Sequence, residues 1–135
     1  MNFLLDANVL IAWAWDDHPH NLRVRKWIGH AMTSPSALIH TSPITEIGFI
    51  RVSMQKTVPQ IEIAEAAGEL ENLIKALDKH HRFLPDDLSS RRNFPAWCNK
   101  PKHTTDSHLF ALAEKHGLLL ASLDTGIPGA FIIPE

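Results

Sequence analysis

A single cysteine, Cys98, in a chain of 135 residues excludes an internal disulfide and a zinc centre built on several thiolates. With no activating neighbour identifiable, Cys98 reads as a small inert side chain rather than a nucleophile. No apolar run approaches the length of a membrane span, and no charged segment precedes the first apolar residues. A cytoplasmic protein with no membrane partner is therefore expected. Excess positive charge is missing too, the formal net charge being −2. Proteins that grip nucleic acid by unspecific phosphate attraction are normally basic. A nucleic-acid partner must here be held by a local patch, or through cations sitting on the protein's own acids. Repeats, linkers and low-complexity tracts are also absent, so residues 1–135 are expected to form one domain with a real core.

What is present is organised around Phe3-Leu4-Leu5-Asp6-Ala7-Asn8-Val9-Leu10-Ile11. Three apolar residues suit a strand buried on both faces, and an acid arrives where the run stops. The pattern resumes at once as a helix, which puts the Asp6 carboxylate at the carboxyl edge of a sheet, where open α/β folds bind ligands. Taken alone, Asp6 is as easily a helix cap.

Further along, helical spacing is expected over Val9 to Trp15 and over His20 to Met32, and Ala37 to His40 reads as a second strand. Ser42-Pro43 is a strong helix start, with Glu46 one place beyond the position that closes a capping box. Ile44, Ile47, Ile50 and Met54 are the expected buried stripe of that helix, with Glu46 on its border. Pro59 is expected to open the next helix, burying Ile63, Ala66, Ala67, Leu70, Leu73, Ile74 and Leu77; Glu62, Glu65, Glu69 and Glu71 form its solvated side. His81 to Leu84, Leu118 to Ala121 and Ala130 to Ile133 are further strands, and a helix starts at Thr104-Thr105-Asp106 and ends at Gly117. Pro95 and Pro101 argue against a long regular element in the basic stretch between Leu88 and His103. Strands alternate with helices throughout, which predicts an α/β fold with a mostly parallel sheet between helical layers.

Four acids then share a pattern. Asp6 and Asp124 each follow an apolar strand, while Glu46 and Asp106 stand near helix starts, where backbone N–H groups favour a carboxylate. In a parallel sheet all four reach one edge. Two carboxylates ~5 Å apart repel by about 3 kcal/mol at an effective dielectric of about 20, so a divalent cation is the economical means of holding them together. All-oxygen ligands suit Mg²⁺ or Mn²⁺ rather than zinc. One or two such ions, the usual apparatus for cutting phosphodiesters, are expected.

Leu4-Leu5-Asp6-Ala7-Asn8-Val9-Leu10, Ser42-Pro43-Ile44-Thr45-Glu46 and Thr105-Asp106 through Leu120-Ala121-Ser122-Leu123-Asp124 resemble the PIN-domain nucleases, above all the VapC-type ribonuclease toxins. The resemblance covers essentially the whole chain. It implies a three-layer α/β/α sandwich around a five-stranded parallel sheet, and a metal-dependent endoribonuclease with Asp6, Glu46, Asp106 and Asp124 as its catalytic, metal-holding acids. Asn8, Thr105 and Ser122 would support them, Ser122 standing where the family often has threonine. Dimerisation and inhibition by a cognate antitoxin protein are implied as well.

The rival readings are a catalytically inactive PIN-like binding module and a small metal-dependent phosphohydrolase. For the haloacid-dehalogenase type of the latter, a second Asp two residues after Asp6 is wanted, and Asn8 stands there. Nine histidines suggest a histidine–metal hydrolase, but no His pair at helical ligand spacing occurs; surface or capping roles are expected for His18, His20, His80 and His81. For RNA contact the candidates are Arg91, Arg92, Lys100, Lys102 and His103, with Trp97 between them as a possible stacking platform.

Overall fold

The computed structural model describes residues 1–135. Five strands, β1 (Asn2–Leu5), β2 (Leu38–Thr41), β3 (His81–Phe83), β4 (Leu119–Ser122) and β5 (Phe131–Ile132), pair only in parallel, in the order β3-β2-β1-β4-β5. The helices between them are α1 (Ala7–Ala14), α2 (Asn21–Ala31), α3 (Pro43–Lys56), α4 (Ile63–Leu77) and α5 (Thr104–Lys115). No helix is long and apolar enough to cross a membrane.

Alternation along β1 sorts the core into two layers. Phe3 and Leu5 join Val9, Leu10, Val24, Ile28, Phe49, Leu70 and Leu77 from α1 to α4 in one cluster. Leu4 faces the other way, onto Leu109, Leu112 and Ala113 of α5 and onto Leu84 and Ile127. The expected three-layer α/β/α sandwich is what forms, with four helices on one face and α5 on the other. From β1 the chain builds outward through β2 to β3, then returns to place β4 on β1's free side. The order reverses between β1 and β4, the position where open parallel sheets form a crevice at their carboxyl edge.

Two sequence expectations fail for physical reasons. The buried face of α3 is Thr45, Gly48, Phe49 and Ser53, and Ile47 is 59% exposed, so the Ile44–Ile47–Ile50–Met54 stripe is not the buried one. Small residues let α1 come close: a Cβ on Gly48 would meet the Ala7 Cβ at 3.1 Å, and Trp15 Nε1 donates to Ser53 Oγ at 3.1 Å. Nor does Pro59 open α4. The helix begins at Ile63 after the extended Glu62, which leaves Ile63 and Ala67 exposed on the outer side. The capping box at α3 closes through Thr45, whose Oγ1 accepts from the Ser42 N–H at 2.9 Å.

The stretch from Leu84 to Lys100 has neither strand nor helix, as its prolines predict, but it is tied down. Buried His108 of α5 donates from Nε2 to Asp86 Oδ2 at 2.7 Å, and His116 and Lys115 both hold Asp87.

Candidate active site

Asp6 is the first residue beyond β1 and only 6% exposed. It occupies the N-cap position of α1 yet makes no side-chain cap hydrogen bond. Instead its Oδ2 accepts from Ser122 Oγ at 2.8 Å. The wholly buried Ser122 hydroxyl itself accepts from Asn8 Nδ2 at 3.1 Å and from the Asp124 backbone N–H at 3.0 Å. A hydroxyl has one proton and two lone pairs. Both lone pairs meet N–H donors, so the proton goes to Asp6. Asn8 Oδ1 accepts from the Leu123 N–H at 3.2 Å, which clamps the turn after β4 onto the start of α1. Asp124 in turn accepts from the Gly126 N–H at 2.8 Å.

Asp106 is the third residue of α5 and partly buried. Because α5 runs back toward the start of β4, its N-terminus lies at the same carboxyl edge as Asp6. Burial, then the charges of Asp6 and Asp124, push the Asp106 carboxyl up to about 6. Asp6 is pushed up as well, mainly by burial and in part by Asp124, while the Ser122 hydrogen bond and the Ala7 and Asn8 N–H groups pull it back. No Lys or Arg pairs with Asp6, Glu46, Asp106 or Asp124; the ion pairs of the chain lie elsewhere.

The structure thus brings Asp6, Asp106 and Asp124 into mutual electrostatic reach at the switch point. Glu46, in the first turn of α3, is at the same edge but is not among the charges acting on the other acids. Its Oε2 accepts from Thr41 Oγ1 at 2.7 Å. No three His, Cys, Asp or Glu side chains converge as ligands of one ion. The donor chemistry nevertheless fits a hard divalent cation: oxygen atoms only, negative and unpaired with protein cations. Thr105 is exposed beside Asp106.

Of the basic residues, Arg91, Arg92, Lys100 and Lys102 are exposed on the loop that leads to α5. Arg92 lines a groove of about 740 Å³ with Phe94, Phe110, Glu114 and Lys115, and none of the four acids borders it. His103 is partly buried, edge-on to Trp97 at 6.0 Å between ring centres. Trp97 itself is partly buried and packs against the Leu4–Leu109 cluster.

Two of the histidines depart from the roles the sequence suggests. His80 is buried, its Nδ1 donating to the Ala37 carbonyl at 2.8 Å, and His81 lies in β3 with its Nε2 2.8 Å from Thr41 Oγ1. His80 is an internal hydrogen-bond donor and His81 a half-buried strand residue in contact with Thr41; neither side chain caps a helix.

A family model described as PIN domain matches residues 3–130. Ribonuclease VapC38 of Mycobacterium tuberculosis is 40% identical over 126 residues, covering 92% of this chain and 86% of that protein. Ribonuclease VapC39 of the same species is 33% identical over 131 residues, covering 94% and 91% respectively. For Ribonuclease VapC29 the figures are 32% over 127 residues, covering 94% and 89%.

Proposed function

This chain belongs to the PIN-domain family, and from that premise we propose that it is a divalent-cation-dependent endoribonuclease, the toxin of a toxin–antitoxin pair. Residues 1–135 act as one nuclease domain in the cytoplasm. The observation that carries the reading is that Asp6, Asp106 and Asp124 act on one another electrostatically at the switch point with no Lys or Arg paired to them.

Asp6, Asp106 and Asp124, joined by Glu46, would hold one or two Mg²⁺ or Mn²⁺ ions. Bound there, such ions supply a water of lowered pKa and charge stabilisation at the scissile phosphate. The chain's own contribution is orientation. Ser122 fixes the Asp6 carboxylate, and Asn8 ties the Asp124 turn to α1. Ser122 is wholly buried, so its hydroxyl meets no phosphate and acts on the site only through Asp6, Asn8 and the Asp124 turn. The all-carboxylate donor set, suited to a cation that carries water, supports hydrolysis as the chemistry.

The partners proposed are an RNA with a single-stranded or loop segment, a cognate antitoxin protein and a second copy of the chain. Exposed Ile47, Ile63 and Phe83 supply apolar surface for protein contacts. The purified protein should cut single-stranded RNA with Mg²⁺ or Mn²⁺ and stop when EDTA is added. Robust cleavage in EDTA, or rescue by Zn²⁺ alone, would overturn the reading.

A second expected result concerns the grip on RNA. Arg91, Arg92, Lys100 and Lys102 flank the approach to Asp106 and are free to reach phosphates. Neutralising two of them should weaken binding and flatten its salt dependence, by about 0.7 log–log units per lost contact on a single strand. An unchanged slope would move the RNA path away from this loop.

A further inference from the structure

Glu46 reaches the acidic edge from a different side than the other three acids, and what holds it there is a chain of two hydrogen bonds. Thr41, the last residue of β2, is fully buried. Its Oγ1 lies 2.7 Å from Glu46 Oε2 and 2.8 Å from His81 Nε2. A carboxylate only accepts, so the single threonine proton goes to Glu46. The lone pair left on Oγ1 must then face an N–H, which makes His81 the donor at Nε2. The neutral tautomer protonated at Nε2 and the imidazolium both donate here, so the arrangement does not depend on the charge of the ring.

The β-sheet builds this chain. His81 pairs with Ile39 and Phe83 with Thr41, so His81 and Thr41 share one face of neighbouring strands, and the imidazole leans one step along to meet the hydroxyl. Glu46 accepts at Oε2 from Thr41, and Oε1 has no bond from the chain. One oxygen is fixed and the other is available.

We propose that Thr41 and His81 are positioning residues that hold Glu46 Oε2, so that Glu46 Oε1 is presented to the cation site formed with Asp6, Asp106 and Asp124. This rests on the nuclease reading above. Outer partners of a metal-binding carboxylate fix its direction, and losing them commonly costs 10- to 100-fold in metal affinity or activity.

The test uses four variants of the full chain, with Mn²⁺ binding followed by calorimetry alongside RNA cleavage. Thr41→Val keeps the buried shape and removes the hydroxyl; Thr41→Ser restores it. His81→Leu removes the donor, whereas His81→Gln places an amide N–H near the position of Nε2. Thr41→Val and His81→Leu should each weaken Mn²⁺ binding about tenfold or more and lower kcat, with little change in the KM for RNA. Thr41→Ser and His81→Gln should recover most of both. If Thr41→Val fails to fold, the His81 pair decides alone. Mn²⁺ affinity within about twofold of wild type in the Val and Leu variants, or a loss in His81→Leu that His81→Gln does not mend, would overturn the inference and leave the nuclease reading intact. Wild-type protein that neither binds Mn²⁺ nor cuts RNA would overturn both.

Discussion

Asp106→Asn is expected to lower RNA cleavage about 100-fold or more while making the cation-free protein more stable at neutral and alkaline pH. The two effects have one cause. Burial and the charges of Asp6 and Asp124 raise the Asp106 carboxyl from 3.8 to about 6. A group whose folded-state pKa lies above its unfolded value favours folding in its protonated form. Its contribution is fully present below about pH 4, is lost as pH rises to about 6, and stays lost above that. Partial exposure screens the charges, so the penalty above pH 6 is about 1–2 kcal/mol. Asparagine keeps the shape and cannot ionise. Urea titrations should therefore find the variant more stable by about that amount near pH 8, with no gain near pH 4. Were Asp106 only a first-turn residue of α5, its charge would stabilise the helix by up to about 1 kcal/mol. The variant would then be the less stable protein near pH 8, and cleavage would survive.

Ser122→Ala should act in the opposite direction on stability. It removes a fully buried hydroxyl with three partners and leaves Asp6 without its side-chain donor. Asn8 Nδ2 and the Asp124 N–H lose their shared acceptor at the same time. A cost of about 2–3 kcal/mol is expected near neutral pH, since one of the lost bonds is made to a charged group. The Ser122 bond also pulls the Asp6 carboxyl down. Without it Asp6 rises further, so the destabilisation should shrink in acid, where Asp6 is protonated in either protein. Chemical unfolding at the two pH values checks both parts. A change below about 0.5 kcal/mol at neutral pH would show that the hydroxyl does not hold the site together.

The positions of Asp6 and Asp124 are legible because an acid at the end of a short apolar run has one natural place in a parallel sheet. Asp106 was legible from the helix start at Thr104-Thr105. The supporting contacts were not. Ser122 meets Asp6 only because β1 and β4 become neighbours when the strand order reverses, and no local pattern encodes that pairing. Glu46 could be placed at a helix border, but its tie to His81 runs through Thr41 across two strands. A hydrophobic wheel misplaces the face of α3 because it counts isoleucines and cannot weigh close approach. Gly48 and Ser53 decide where α1 packs, and Ile47 is left outside. Likewise His108 looks like any helical histidine until Asp86 folds back onto α5.

If these acids form a cation site rather than standing as separate structural residues, the stability of the fold responds to Mg²⁺, and that response is the most direct measurement. A ligand that binds only the folded state stabilises it by mass action, about 2.7 kcal/mol at a hundredfold excess over Kd. In a domain of this size that raises the melting temperature by several degrees. Thermal melts of wild type and Asp106→Asn, each in EDTA and in saturating Mg²⁺, should show a large rise for wild type and a much smaller one for the variant. Equal shifts in the two proteins, or none in either, would contradict the account.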